Sequence, residues 1–103
     1  EASMSIEIAD PVAGEHHLWV AGFDCTIARI RGIRTGGTGL TLNALIGASY
    51  SNAVDLSLST ADSWTSAAAD LTVDVTAGDI IKVEVVSVTG TPTNLIIQVD
   101  FSA

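Results

Sequence analysis

Leu95-Ile-Ile-Gln-Val-Asp-Phe101 puts Leu95, Ile97, Val99 and Phe101 on one parity and Ile96, Gln98 and Asp100 on the other. In an extended chain alternate side chains point to opposite faces, so the stretch reads as a strand with one face in a core and the other toward water or a partner. The same period of two recurs upstream. Val54, Leu56 and Leu58 alternate with Asp55, Ser57 and Ser59, and Leu71, Val73 and Val75 with Thr72, Asp74 and Thr76. Between the runs lie Thr35-Gly-Gly-Thr-Gly39, Thr76-Ala-Gly-Asp79 and Thr89-Gly-Thr-Pro-Thr-Asn94. Gly78 suits a positive φ, and Pro92 cannot continue a central ladder. Strands are expected near 4–9, 17–23, 25–34, 39–47, 54–59, 70–76, 79–89 and 94–102. Ala61 to Ala69 holds four alanines with Asp62 as a cap, enough for at most a helical turn or two inside a connection. The fold expected is all-β, an antiparallel jelly-roll-like sandwich of about seven or eight strands.

The 103 residues have room for one domain, spanning 1–103. Hydrophobic residues make up 48% and charged ones 16%, so disorder is excluded and much of the surface must be Ser, Thr, Ala and Gly. Such a surface suits strand faces and close subunit contacts, which points to an oligomer. Twelve acids against four bases give a net charge of −8, which opposes binding to nucleic acid or an anionic membrane. Arg29, Arg31 and Arg34 form the one basic cluster, read as a strand edge paired with nearby acids rather than a polyanion site. A lone Cys25 excludes an internal disulfide and sits in an alternating apolar run, as a buried inert thiol does. No run is long enough to span a membrane and nothing resembles a signal peptide. Glu1-Ala-Ser-Met4 is compatible with a non-native or flexible leader ahead of a start at Met4 and carries no functional weight.

Leu71-Thr-Val-Asp-Val-Thr-Ala-Gly-Asp-Ile-Ile-Lys-Val-Glu-Val85 resembles a recurring jelly-roll segment of strand, Gly-Asp corner and long apolar strand. Similar corners occur in trimeric jelly rolls of the tumour necrosis factor and complement type. The chain is more similar still to small β domains of tailed-phage virion proteins: head fibres, capsid decorations and tail-fibre tips. Phe23-Asp-Cys-Thr-Ile-Ala-Arg-Ile-Arg-Gly32, the Gly36-Gly-Thr-Gly39 turn, and Gly90-Thr-Pro92 before the last apolar strand carry that likeness across most of residues 17–102. The resemblance implies a virion surface protein, commonly a homotrimer, that decorates a particle or recognises a host-surface glycan. It brings no catalytic residues and no cofactor.

The residues themselves offer little chemistry. His16 and His17 are adjacent, and neighbours on a strand point to opposite faces, so a polar strand or loop explains them better than a metal site. No serine sits in a Gly-x-Ser-x-Gly elbow. Asp62, Asp70 and Asp74 are explained more simply by a solvated face and turn capping than by paired catalytic carboxylates or a calcium site. Catalytic residues, metal ligands and cofactors are therefore expected to be none. Of the five aromatics, Trp19, Phe23 and Phe101 share strand parity with core residues. Tyr50 and Trp64 lie in polar connections, where a rigid ring either stacks on a ligand or folds back as a lid on the core.

Three functions are compatible with these features. The first is a non-catalytic virion structural or attachment domain, self-assembling as a trimer with other virion proteins or host glycans as partners. Here Arg29 and Arg31 would meet acids on a neighbouring subunit. The second is a carbohydrate-binding module of a cellular or secreted protein, centred on Tyr50 and Trp64. The third is a small jelly-roll enzyme of the cupin type, which needs a His/Glu metal cluster that two adjacent histidines do not supply. The first accounts for most of the sequence.

Overall fold

Ten strands appear in the computed structural model, which describes residues 2–70 and 74–103. They are β1 (Ala2–Ile8), β2 (Gly14–Val20), β3 (Cys25–Thr35), β4 (Gly39–Ile46), β5 (Ser49–Tyr50), β6 (Leu56–Ser57), β7 (Thr65–Ala68), β8 (Asp74–Val75), β9 (Ile80–Thr89) and β10 (Thr93–Ser102). Sheet I runs β1-β10-β3-β7, with β8 also on β3; sheet II runs β2-β9-β4-β5, with β6 also on β4. Every pairing is antiparallel. Because β5 and β6 share one flank of β4, and β7 and β8 one flank of β3, each sheet has four strand positions. That order, with consecutive long strands passing between sheets, is the order of a jelly roll.

The alternation that opened the reading of the chain is realised in β10. Leu95, Ile97, Val99 and Phe101 are all buried and face Ile81, Val83 and Val85 of β9 within one core. Gly32 of β3 shares the inner face, and a Cβ there would stand 2.9 Å from Leu42 Cδ2, so the two sheets close tightly at that point. The Thr76–Asp79 corner forms as expected: Gly78 takes φ 98°, and the Asp79 N–H donates to the Thr76 carbonyl at 2.9 Å.

Three expectations need correction. Thr65–Ala68 is a strand rather than a helical turn, because β7 completes the ladder on β3 and tertiary pairing outweighs the alanines' helix propensity. The expected strand 54–59 shrinks to Leu56–Ser57, and of 70–76 the described part is strand at Asp74–Val75, with 71–73 outside the described residues. Phe23 is not in the core but 44% exposed. The parity from Trp19 to Cys25 does not run through one strand: the chain leaves β2 at Val20, and the Ala21 backbone instead bonds Gly78 and Asp79.

Ile97 is fully buried in the middle of β10, between β1 and β3. Ile97→Asp should unfold the domain, since an unpaired buried carboxylate costs several kcal/mol against the roughly 5–15 kcal/mol that hold a domain together. Circular dichroism melts check this; a parental melting curve would mean that β10 does not pair in this register.

Candidate functional site

The basic cluster splits in two, because β3 alternates. Arg29 and Arg31 lie on the outer face of sheet I, whereas Arg34 shares the inner parity of Ile30 and Gly32 and is 1% exposed. β3 is an interior strand, between β10 and β7, and not the edge that the sequence suggested. Among the described residues no acid pairs with Arg34. Its Nε donates to the Leu58 carbonyl at 2.7 Å, Nη1 to the Gly36 carbonyl, and Nη2 to the Thr38 carbonyl at 3.0 Å. The guanidinium cannot shed its proton inside a protein, so carbonyl dipoles must replace its lost hydration.

The elements around Arg34 are bound to one another as well as to it. The Arg34 carbonyl accepts the Asp62 N–H at 2.8 Å, and Thr38 N–H donates to the Thr89 carbonyl at 3.0 Å. Gly37 takes φ 68°, and a Cβ on it would lie 2.5 Å from Pro92 N. Hence the Gly36–Gly39 turn and the Gly90–Pro92 turn, which the sequence showed only as separate punctuation, close on each other beside a buried cation. Periodicity did carry the signal: Ile30, Gly32 and Arg34 have one parity.

On the outer face of sheet I, Asp100 is only 3% exposed. It accepts from Ser3 Oγ at 2.7 Å, from Gln98 Nε2 at 2.9 Å and from Arg31 Nη2, with Arg29 Nε at 3.7 Å. Burial alone would push this carboxyl up. The hydrogen bonds from Gln98, Ser3 and Arg31, with the Arg31 charge, overcome it and hold the carboxyl below its ordinary value. The acid that Arg29 and Arg31 meet is therefore supplied by their own chain. Arg31 Nε is left buried without a partner.

Sheet II carries a second polar cluster. Asn43, buried on β4, donates from Nδ2 to the Asn52 carbonyl and to Asp55 Oδ1, both at 2.9 Å. Asn52 in turn donates to the Ala68 carbonyl of β7 at 2.9 Å, so this cluster ties the 51–55 connection to sheet I. Tyr50 stands opposite Leu45 and sends its hydroxyl across β4 to Glu84 Oε1 on β9 at 2.6 Å. That hydrogen bond, followed by burial and nearby acids, raises the phenol above its ordinary value. Leu45, on an outer-facing position, is 3% exposed beneath this crossing.

Trp64 is half exposed, just before β7 at the end of sheet I where Asp62 meets Arg34. Tyr50 pairs at the far end of β4, five residues beyond the Leu40 that bonds Leu58, or about 16 Å at ~3.3 Å per residue. Tyr50 thus belongs to sheet II and Trp64 to the approach to β7 in sheet I. His16 and His17 occupy successive positions of β2, opposite Val83 and Lys82, and so face opposite ways. Asp62 accepts from Thr35 Oγ1 and Asp70 from the Ala53 N–H, which are turn and loop contacts. Among the described residues no group of three or more His, Cys, Asp or Glu could hold a metal. Cys25 is buried, and burial followed by the Asp24 charge raises its thiol.

Sequence reasoning missed the apolar surface at the β2–β3 end. Val20 is 59% exposed, Ile80 47% and Phe23 44%. Val20 and Ile80 are cross-strand partners, and Trp19 stacks between Phe23 and the buried Phe101, with ring centroids at 5.4 and 5.0 Å. A β-bulge at Leu18 breaks the alternation of β2, so Leu18 and Trp19 both pack on the core and Val20 is turned outward.

No protein-family model matches the chain, and a search of curated proteins finds no match.

Two outcomes follow from the buried charges. Arg34→Met should lower stability by about 3 kcal/mol, since buried carbonyls lose their donors, and urea midpoints report it. A midpoint equal to the parent's would show that the turns close without the guanidinium. Because the folded Asp100 pKa lies below the ordinary 3.8, its stabilisation is complete above that value and is lost as pH falls through the depressed one. Asp100→Asn should therefore be less stable at neutral pH and show a shallower loss of stability down to about pH 2. Parallel pH profiles for variant and parent would contradict this.

Proposed function

We propose that this chain is a non-catalytic virion domain of the phage decoration or fibre kind, which works by assembling as a trimer and presenting its outer surface for attachment. The observation that supports the reading most directly is the apolar end formed by Val20, Phe23 and Ile80. Val20 and Ile80 face each other across β2 and β9, and Phe23 packs edge-on against Trp19; all three are near half exposure, which costs free energy in water and gains it in a contact. Three copies around an axis through that end would cover them, leaving Asp24 and Asp79, which accept the Ala77 and Thr76 N–H groups, to the rim of the contact.

The charges support the same reading. All four basic side chains are engaged inside the chain: Arg29 and Arg31 with Asp100, Arg34 with carbonyls, and Lys82 with Glu15 at 2.8 Å. A polyanion would find no cluster of free cations. The subunit contact expected at Arg29 and Arg31 accordingly moves to the apolar end. The carbohydrate-binding alternative would use Tyr50 and Trp64 as two exposed rings on different elements, β5 and the segment before β7.

Light scattering over a range of concentrations should give a mass of three chains or a multiple of three. Ile80→Lys, an exposed change that leaves the core intact, should lower the mass to a state without threefold multiplicity. A parent of one or two chains, or an Ile80→Lys variant with unchanged mass, would sink the proposal.

A further inference from the structure

An open sandwich has four edges, and this one blunts three of them. β2 carries the bulge at Leu18, the β5/β6 edge is broken into two strands of two residues, and on the edge opposite β1 the strand β7 stops after four residues at Ala68. Bulges and short edge strands are devices that prevent further pairing. β1 has neither. Its seven residues pair with β10 in an unbroken register, and Ala-Ser-Met-Ser-Ile-Glu-Ile contains no proline, no lysine and a single charge, Glu7. Its inward side chains Met4, Ile6 and Ile8 are only partly buried.

We infer that β1 is a pairing edge for β1 of a second copy of this chain, the two related by a twofold axis through Ser5. The hydrogen-bond phase defines the arrangement. Asn94 N–H donates to the Ala9 carbonyl at 2.9 Å, and an antiparallel ladder alternates bonded and non-bonded pairs. Ser3, Ser5 and Glu7 therefore bond β10, and the N–H and C=O groups of Ala2, Met4, Ile6 and Ile8 point outward. A twofold at Ser5 sets Met4 against Ile6 and Ala2 against Ile8, so every outward backbone group meets a partner. It also sets Ser3 against Glu7 and Ser5 against itself, so no like charges face each other. Among registers in this phase it is the one that pairs all seven residues. Sheet I then continues from one copy into the next, and Met4, Ile6 and Ile8 gain apolar neighbours. The contact is isologous and independent of the apolar end.

Disulfide trapping tests the register. Ser5, Ser3 and Glu7 are exposed and outside the core, so single substitutions there leave the sandwich folded; Ser3→Cys gives up its bond to Asp100, which keeps Gln98 and Arg31. In a non-bonded antiparallel pair the Cα atoms lie about 4.5 Å apart, within the range of a disulfide. Under mild oxidation Ser5→Cys should convert mostly to a covalent dimer on a non-reducing gel. Ser3→Cys and Glu7→Cys should each stay largely uncrosslinked alone and form the mixed dimer when combined. The parent, whose Cys25 is buried, is the control. Ser5→Cys together with Ile80→Lys should cross-link as well as Ser5→Cys alone, which separates this edge from the threefold contact. Ser5→Cys remaining uncrosslinked at high concentration would overturn the inference, whether the edge stays open or takes a strand from a different chain. So would equal cross-linking at all three positions.

Discussion

The Arg34 guanidinium sits on the inner face of sheet I, pairs with no carboxylate among the described residues, and is held by three backbone carbonyls. A buried cation is costly unless its donors are satisfied, and hydrogen bonds to a charged group are stronger than neutral ones. The carbonyls come from the β3–β4 turn and from Leu58, so burying this side chain obliges both segments to converge on it. Asp62 then bonds back to the Arg34 carbonyl, and the Gly90–Pro92 turn closes over Gly37. One charge thus organises a whole end of the sandwich. Backbone that would otherwise be a set of independent loops becomes a packed cap.

The opposite end is built differently. The segment from Val20 to Asp24 is tied to the 76–79 corner by the Ala21 backbone and the Asp24 carboxylate, and Trp19 packs beneath it between buried Phe101 and exposed Phe23. Here a bulge at Leu18 turns Val20 out beside Ile80, and apolar surface is left in water. The contrast has a physical logic. A polar end closed by directional hydrogen bonds is complete within one chain, whereas an apolar end has area still to bury. If the molecule has a direction, it runs from the sealed cap at Arg34 to the unsealed end at Val20, Phe23 and Ile80.

Much of this architecture was legible in the sequence, and the gaps are instructive. Strict alternation located β10, since a buried face enforces parity where a long strand pairs on both sides, whereas the same pattern at 54–59 gave only the two-residue β6. Parity failed where the strand ended. Trp19 and Cys25 lie on the same count, yet the chain leaves the sheet between them, and Phe23 inherits no core position from its neighbours. The alanines of β7 misled for a related reason: local propensity is weak, and the vacant flank of β3 decided their conformation. Arg34 was grouped with Arg29 and Arg31 by proximity, although its parity with Ile30 and Gly32 placed it inside. Reading a charged residue by periodicity before reading it by charge would have separated the three. The pairing of Asn43 with the 51–55 connection has no pattern in the sequence, because it depends on which strand passes beneath which loop.

Charge then limits how copies of this chain can meet. With every Lys and Arg committed internally, the remaining acids face solvent unopposed, and two copies approaching at random repel each other. The proposed contacts accordingly lie where acids are few or already hydrogen-bonded within the chain. The apolar end presents Val20, Phe23 and Ile80, and the β1 edge presents serines and one glutamate that a twofold keeps apart from its mate. Elsewhere the fold has bulged or shortened its edges. Repulsion over most of the surface works with these two exceptions, because it removes wrong encounters while leaving the neutral contacts intact. On the proposed reading, the acidic surface of so uncharged a chain acts as a filter on self-association.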